Sequence, residues 1–192
     1  MLSDRLRVDA EGADRTRYHH VMGWANLVVP GMGGLLELRN LHLDPSDPRN
    51  RAREVSPLMF LAAPGRRSLT VGDINSIGVG FPEPDWTQMQ RHQLNGQLRS
   101  PGEAEESDRE AVELLARAGF VDAASRFGQE TVATAAFGEG DVPRRMDLVL
   151  SSPALAPALV GYQVYMEPVE KGLSDHAAVS ADYDLSLLSE AA

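Results

Sequence analysis

Two short apolar runs, Leu35 to Leu43 and Ser68 to Asp73, both end in polar groups on the face their apolar residues occupy. Side chains alternate along a strand, so Leu36, Leu38, Asn40 and His42 share one face, and Leu69, Val71, Asp73 and Asn75 share another. Leu36 and Leu38 are then expected in the core, with Asn40 and His42 carrying that face out to the sheet's edge. Polar residues that continue a core face are what a site at the mouth of a sheet sandwich requires. Each run also has an ordinary explanation: a hydrogen-bonded histidine at a strand end, and an Asx turn after a strand.

The rest of the chain fits between such strands. His20 to Val29 reads as a strand joined to Leu35–Leu43 through Pro30-Gly31-Met32-Gly33-Gly34, a hairpin. Asp47-Pro48 opens a helix that runs to about Leu61, bent or shortened by Pro57. Residues Gly78 to Arg99 form a long irregular excursion, expected to lid the site, in which Trp86 buries its ring as a loop anchor. Ser107 and Glu110 form a capping box for a helix with apolar face Ala111, Val112, Leu114, Leu115 and Ala118. Gly119 caps its C-terminus and Phe120 packs back. Strands follow near Arg144–Ser151, Tyr162–Glu167 and Ala177–Leu185. Arg49, Arg51, Arg53 and Glu54 read as a solvated helix face, Glu103 to Asp108 as a solvated acidic loop. His19-His20 are given no role, because adjacent strand residues face opposite ways. The sum is an α+β fold, with sheets covered by helices on their outer faces.

Composition narrows the chemistry. At 192 residues the expectation is a single domain over 1–192. There is no cysteine, so disulfides, thiolate metal sites and cysteine nucleophiles are excluded, and any metal must be held by oxygen or imidazole. A formal net charge of −10 disfavours a surface that coats nucleic acid, though local charge at a cleft can oppose the global sign. No stretch is long and apolar enough for a membrane span, and Met1-Leu2-Ser3-Asp4-Arg5 has no signal-peptide core, so the expected compartment is cytoplasmic.

Two further places hold candidate chemistry. Asp147 lies in the apolar run Met146-Asp147-Leu148-Val149-Leu150, where an isolated carboxylate is costly without a positive partner. Ser174-Asp175-His176 supplies one: His176 paired with Asp147 would hold an imidazolium able to meet a phosphate oxygen. Asp175 points to the opposite side of an extended segment and is placed to face a cation.

Taken in order, these segments are Asn40-Leu41-His42-Leu43, Gly72-Asp73-Ile74-Asn75, Arg145-Met146-Asp147 and Ser174-Asp175-His176. Over roughly residues 20–185 the chain resembles the endonuclease/exonuclease/phosphatase superfamily, the DNase I-like proteins. The resemblance implies a four-layer α/β/β/α sandwich and a metal-dependent hydrolase of phosphoesters, of phosphodiesterase, nuclease or phosphatase type, using Mg²⁺ or Mn²⁺. It further implies that Asp73 positions or deprotonates the attacking water and that Asn75 holds a non-bridging phosphate oxygen. His176, oriented by Asp147, would stabilise the pentavalent state, Asp175 would help bind the metal, and His42 would hydrogen-bond the phosphate. Asn40, on the face of His42, is a further candidate for substrate binding.

The N-terminus departs from the pattern. The superfamily carries an early strand with an asparagine, then a helix and a strand ending in Gln-Glu, whose glutamate is the principal metal ligand. Glu11 is the only glutamate before Glu37. Glu37 is an odd number of residues from His42 and faces the other way, and Glu11 sits in a polar run, Asp9 to Arg17, that reads as a loop. Two explanations stand: a longer protein with its opening elements upstream of Met1, or a short one that has lost a ligand and part of a sheet. In the second case the chain is expected to be a catalytically inactive binding module, or to self-associate or take a partner segment that completes the sheet.

Overall fold

Two sheets form the frame of the computed structural model, which describes residues 6–99 and 106–188. The larger has six strands in the order β1-β2-β3-β4-β6-β5, and the smaller pairs β7 with β8. β1 spans Arg7–Asp14, β2 Met22–Val28, β3 Leu35–His42, β4 Arg67–Asp73, β5 Val121–Asp122 and β6 Asp147–Ser151. β7 spans Leu159–Tyr165 and β8 Ala178–Tyr183. β2 and β3 form the expected hairpin, β4 lies parallel to β3, and β6 returns antiparallel to β4.

Helices cover one face of the large sheet. The first, α1 (Pro48–Val55), starts where Asp47 accepts a hydrogen bond from the Arg49 N–H at 2.9 Å. Pro57 has no N–H to continue the α-helical ladder, and the chain tightens into a 3₁₀ helix over Ser56–Ala62. A short helix, α2 (Arg91–Leu94), lies in the excursion, and α3 spans Glu110–Arg117. The apolar sides of α1, the 3₁₀ segment and α3 pack on Met22, Leu41, Leu148 and Leu150. Gly119, at φ +104°, ends α3 as expected, and the Phe120 N–H donates back to the Leu115 carbonyl.

The opposite face is covered over only part of its width. Leu69, Val71 and Val149 pack against Leu159, Tyr162, Val164, Val179, Ala181 and Tyr183 of the two-stranded sheet. Leu36 and Leu38, expected in the core, are only half-buried, because β7 and β8 lie over β4 and β6 and leave β1–β3 uncovered. There Leu38, Asn40, Gly23, Ala25 and Glu11 line an open groove of about 490 Å³.

Three other expectations change. Arg7–Asp14 is an edge strand and not a loop, and all but one of its residues are exposed. Ser107 does not cap α3; it bonds Glu83, while Arg109 occupies the cap position with no side-chain hydrogen bond. Arg51 and Glu54 are buried, not solvated. Arg51 reaches the Asp44 and Gly96 carbonyls and Asp108, and Glu54 accepts from the His19 and Asp44 N–H groups. Part of the acidic stretch, residues 103–105, lies outside the described residues.

Candidate functional site

The sheet register brings three polar side chains into one row. His42 is opposite Asp73 across the parallel β3–β4 pair, and Asp73 is opposite Asp147 across the antiparallel β4–β6 pair. Register partners lie on the same face, so the ends of three strands set an imidazole and two carboxylates side by side. Gly72 makes this packing possible. Its φ is +130°, and a Cβ there would overlap the Leu41 carbonyl. Gly72→Ala is therefore expected to cost at least about 1–3 kcal/mol from backbone strain alone. The check is urea unfolding, and an unchanged midpoint would contradict this packing.

Asp73 is the centre of the row. Burial pushes its carboxyl above the usual range, and neighbouring Asp147 adds to this, against the lowering effect of the Asn75 N–H. His42 Nε2 lies 3.6 Å from Asp73 Oδ2, beyond direct hydrogen-bond length. Asp147 pairs with His176 Nδ1 at 3.0 Å, so the partly buried carboxylate has the partner its position demands. That hydrogen bond raises the imidazole's pKa above its ordinary value against the effect of burial. Nε2 of His176 makes no hydrogen bond among the described residues. Thr134 joins the two segments: its hydroxyl accepts from the Met146 and Asp147 N–H groups, and its carbonyl from that of Ala177.

Asn75, at φ +49°, closes an Asx turn on Asp73: its N–H donates to Asp73 Oδ1 at 2.9 Å. Its side-chain amide donates to the Leu43 carbonyl at 3.0 Å and to Asp73 Oδ2 at 3.3 Å. Both amide hydrogens are thus engaged, and no N–H is free for a phosphate oxygen. The ordinary Asx turn is thus present at the candidate site.

Asp73, Asn75, Asp175 and His176 line a cleft of about 460 Å³ whose far wall comes from the excursion, through Met89, Gln93, Asn95 and Gln97. Asp175 is exposed, and its carbonyl accepts from the Phe137 N–H. Asn40 is elsewhere. It lies two residues short of the strand end and opens on the groove over β1–β3, not on this cleft. Trp86 is buried as a loop anchor, its indole N–H donating to Glu83.

Sequence reasoning missed His20. Residues 18–20 are bends and not strand, so their side chains do not alternate between two sheet faces. The His20 ring stacks on His42, with centroids 4.1 Å apart, and His19 meets His20 edge-on and Asp44 at 3.1 Å. Burial, with His42 and His19 close by, lowers the His20 pKa. The hairpin register was the available signal: Gly23 opposite Asn40 carries residue 21 opposite His42, with His20 beside it.

Neither early glutamate reaches the cleft. Glu11 lines the groove over β1–β3, and Glu37 is paired with Arg66 and Arg39. Among the described residues, no three His, Cys, Asp or Glu side chains converge as a metal cage would.

No sequence-family model matches the chain, and no curated protein matches it by sequence. Solved structures do match. An endonuclease/exonuclease/phosphatase family protein from Bacteroides thetaiotaomicron superposes with a TM-score of 0.60 over 99% of this chain and 68% of its own, at 13% identity. The chain has the DNase I-like fold. A 3′-5′ exonuclease from Neisseria meningitidis shares it at TM-score 0.61 and 18% identity, over 84% of this chain and 64% of that one. So does a mannosyl-6-phosphatase from Bacteroides thetaiotaomicron, at TM-score 0.59 and 14% identity, over 95% of this chain and 68% of that one. The chain thus spans about two thirds of the length of these DNase I-like structures. At such identities the likeness establishes the fold, and the chemistry has to be argued from the side chains. No helix among the described residues is long and apolar enough to cross a membrane.

Proposed function

We propose that the chain is a hydrolase of phosphoesters that directs water at phosphorus from the cleft of Asp73 and His176. The observation that carries this reading is the Asp73–Asp147–His176 arrangement, in which one carboxylate is raised by burial and the second sustains a charged imidazole. Titratable groups perturbed by burial and a charged partner beside a cleft are candidates for acid–base work. Asp73, ionised, takes the proton of the attacking water. His176, protonated through Asp147, donates from Nε2 to the phosphate oxygen that gains charge. Asn75 acts one step back, fixing the Asp73 carboxylate. His42, stacked on His20, supplies a second imidazole beside Asp73.

The donors of the cleft are hard oxygens, which suit Mg²⁺ or Mn²⁺. Mg²⁺ needs no protein cage, since it takes one or two carboxylates together with phosphate oxygens and water. Asp175 is the residue to hold it, and the bound cation would offset the negative charge of phosphate and carboxylates.

The protonation states fix a pH profile. Turnover rises as Asp73 ionises, above the ordinary carboxylate range, and falls as His176 loses its proton, above the ordinary histidine value. Asp147→Asn removes the negative charge that strengthens the hydrogen bond to His176 and raises it, and that also repels and raises Asp73. Both limbs of the pH–kcat/KM profile are therefore expected to move to lower pH. A variant profile superimposable on the parent's, merely scaled down, would contradict the assignment.

A second reading, a binding module without turnover, draws on a different observation: neither Glu11 nor Glu37 reaches the cleft, and the face over β1–β3 is uncovered. It predicts phosphate binding without release of product. Self-association, or a partner segment laid over that face, belongs to this reading.

A further inference from the structure

The excursion wall of the cleft bears on what is esterified to the phosphate. Gln97 is 8% exposed and lines the cleft. Its backbone is fixed on both sides, its N–H donating to the Leu94 carbonyl and its carbonyl accepting from the Asp108 N–H. Its side-chain carboxamide makes no hydrogen bond among the described residues. The residue is held in place by its buried backbone, and its carboxamide opens on the cleft with its donors and acceptor uncommitted, available to a ligand there. Gln93 and Asn95 add two more neutral amides to the same wall.

The charges around the cleft disfavour one class of occupant. Asp73, Asp141 and Asp175 line it, against the imidazoles of His92 and His176 and the single guanidinium of Arg144, which is committed to Asp141 at 2.7 Å. The whole chain has one lysine and a formal net charge of −10. A nucleic-acid strand would bring further phosphates to either side of the reacting one, and those need Arg and Lys that this rim lacks. A volume of about 460 Å³ suits one small molecule. Neutral amides donate and accept at once, which matches hydroxyl groups.

Resting on the hydrolase reading, we propose that this cleft takes the phosphate monoester of a small uncharged polyol, with Gln97 hydrogen-bonding its hydroxyls. Gln97 is thus a specificity residue that does not touch the reacting atoms.

The test is calorimetric binding of hexitol 6-phosphate, p-nitrophenyl phosphate and a single-stranded 12-nucleotide DNA to the full chain with Mg²⁺, alongside phosphate release from the two monoesters. The polyol phosphate is expected to bind most tightly. Gln97→Met, which keeps the buried volume, should weaken it about tenfold, the size of one lost hydrogen bond. It should leave p-nitrophenyl phosphate, which has no hydroxyl, unchanged. If Gln97→Met loses both ligands through misfolding, Gln97→Asn decides: it stays neutral and polar but is one methylene shorter, and it should still weaken the polyol ester selectively. Tighter binding of the oligonucleotide, or equal weakening of both monoesters by a folded variant, overturns the proposal. Selective, Gln97-dependent polyol binding with no release from either monoester would uphold this recognition and overturn the hydrolase reading instead.

Discussion

Asp73→Asn and His176→Ala are each expected to lower phosphoester turnover by at least about 100-fold, the usual scale of a lost general base or acid. Neither should unfold the protein. Asparagine at position 73 keeps an oxygen to accept the Asn75 N–H at the turn, and it removes the repulsion between adjacent carboxylates that raises the Asp73 pKa. His176 is only half-buried, so truncating it leaves Asp147 near water. Steady-state rates with thermal unfolding on the same samples check this. Full activity in either folded variant would remove that residue from the reaction.

The largest effect on stability is expected at Arg51. This side chain has no exposed surface, and it donates to the Asp44 carbonyl at 3.0 Å, the Gly96 carbonyl at 2.8 Å and Asp108 Oδ1 at 3.3 Å. Asp108 is itself buried, so Arg51→Ala strands its charge, orphans two carbonyls and opens a cavity. Breaking a buried pair from one side costs about 3–5 kcal/mol, a large fraction of a domain's stability. Urea titration measures it, and a loss below about 1 kcal/mol, the scale of an exposed ion pair, would contradict the burial. The consequence reaches the cleft, because Gly96 precedes Gln97 and its Cα packs against the Pro45 carbonyl; a Cβ there would lie 2.5 Å from that oxygen. Arg51 thus ties α1 to the wall that carries Gln97.

What the sequence made legible was local or set by alternation. The hairpin of β2 and β3, the Asp47-Pro48 helix start, the 3₁₀ shortening at Pro57 and the Gly119 cap all depend on residues within a few positions of one another. The need of Asp147 for a cation was also legible, because a carboxylate within an apolar strand has few alternatives. β1 was not. As an edge strand exposed on both faces it has no core side to impose an apolar alternation, and its Val-Asp-Ala-Glu-Gly-Ala run reads as a loop. The burial of Arg51 was invisible for another reason: its partner Asp108 is 57 residues away, and nothing local separates it from Arg49 or Arg53. The alternation that placed Leu36 and Leu38 inward gave the right face, but it carries no information on what covers that face. Asn40 shares this fate, being on the predicted side of β3 and outside the cleft.

Hydrolysis itself is the most direct test of this chemistry. Release of p-nitrophenol from p-nitrophenyl phosphate and bis-(p-nitrophenyl) phosphate, with Mg²⁺ or Mn²⁺, should be followed for the full chain beside Asp73→Asn. Cation-dependent turnover is expected from the chain and should disappear in the variant. Folded chain that releases no more product than Asp73→Asn, with either cation and either ester, would contradict it and leave the binding module as the reading of this fold.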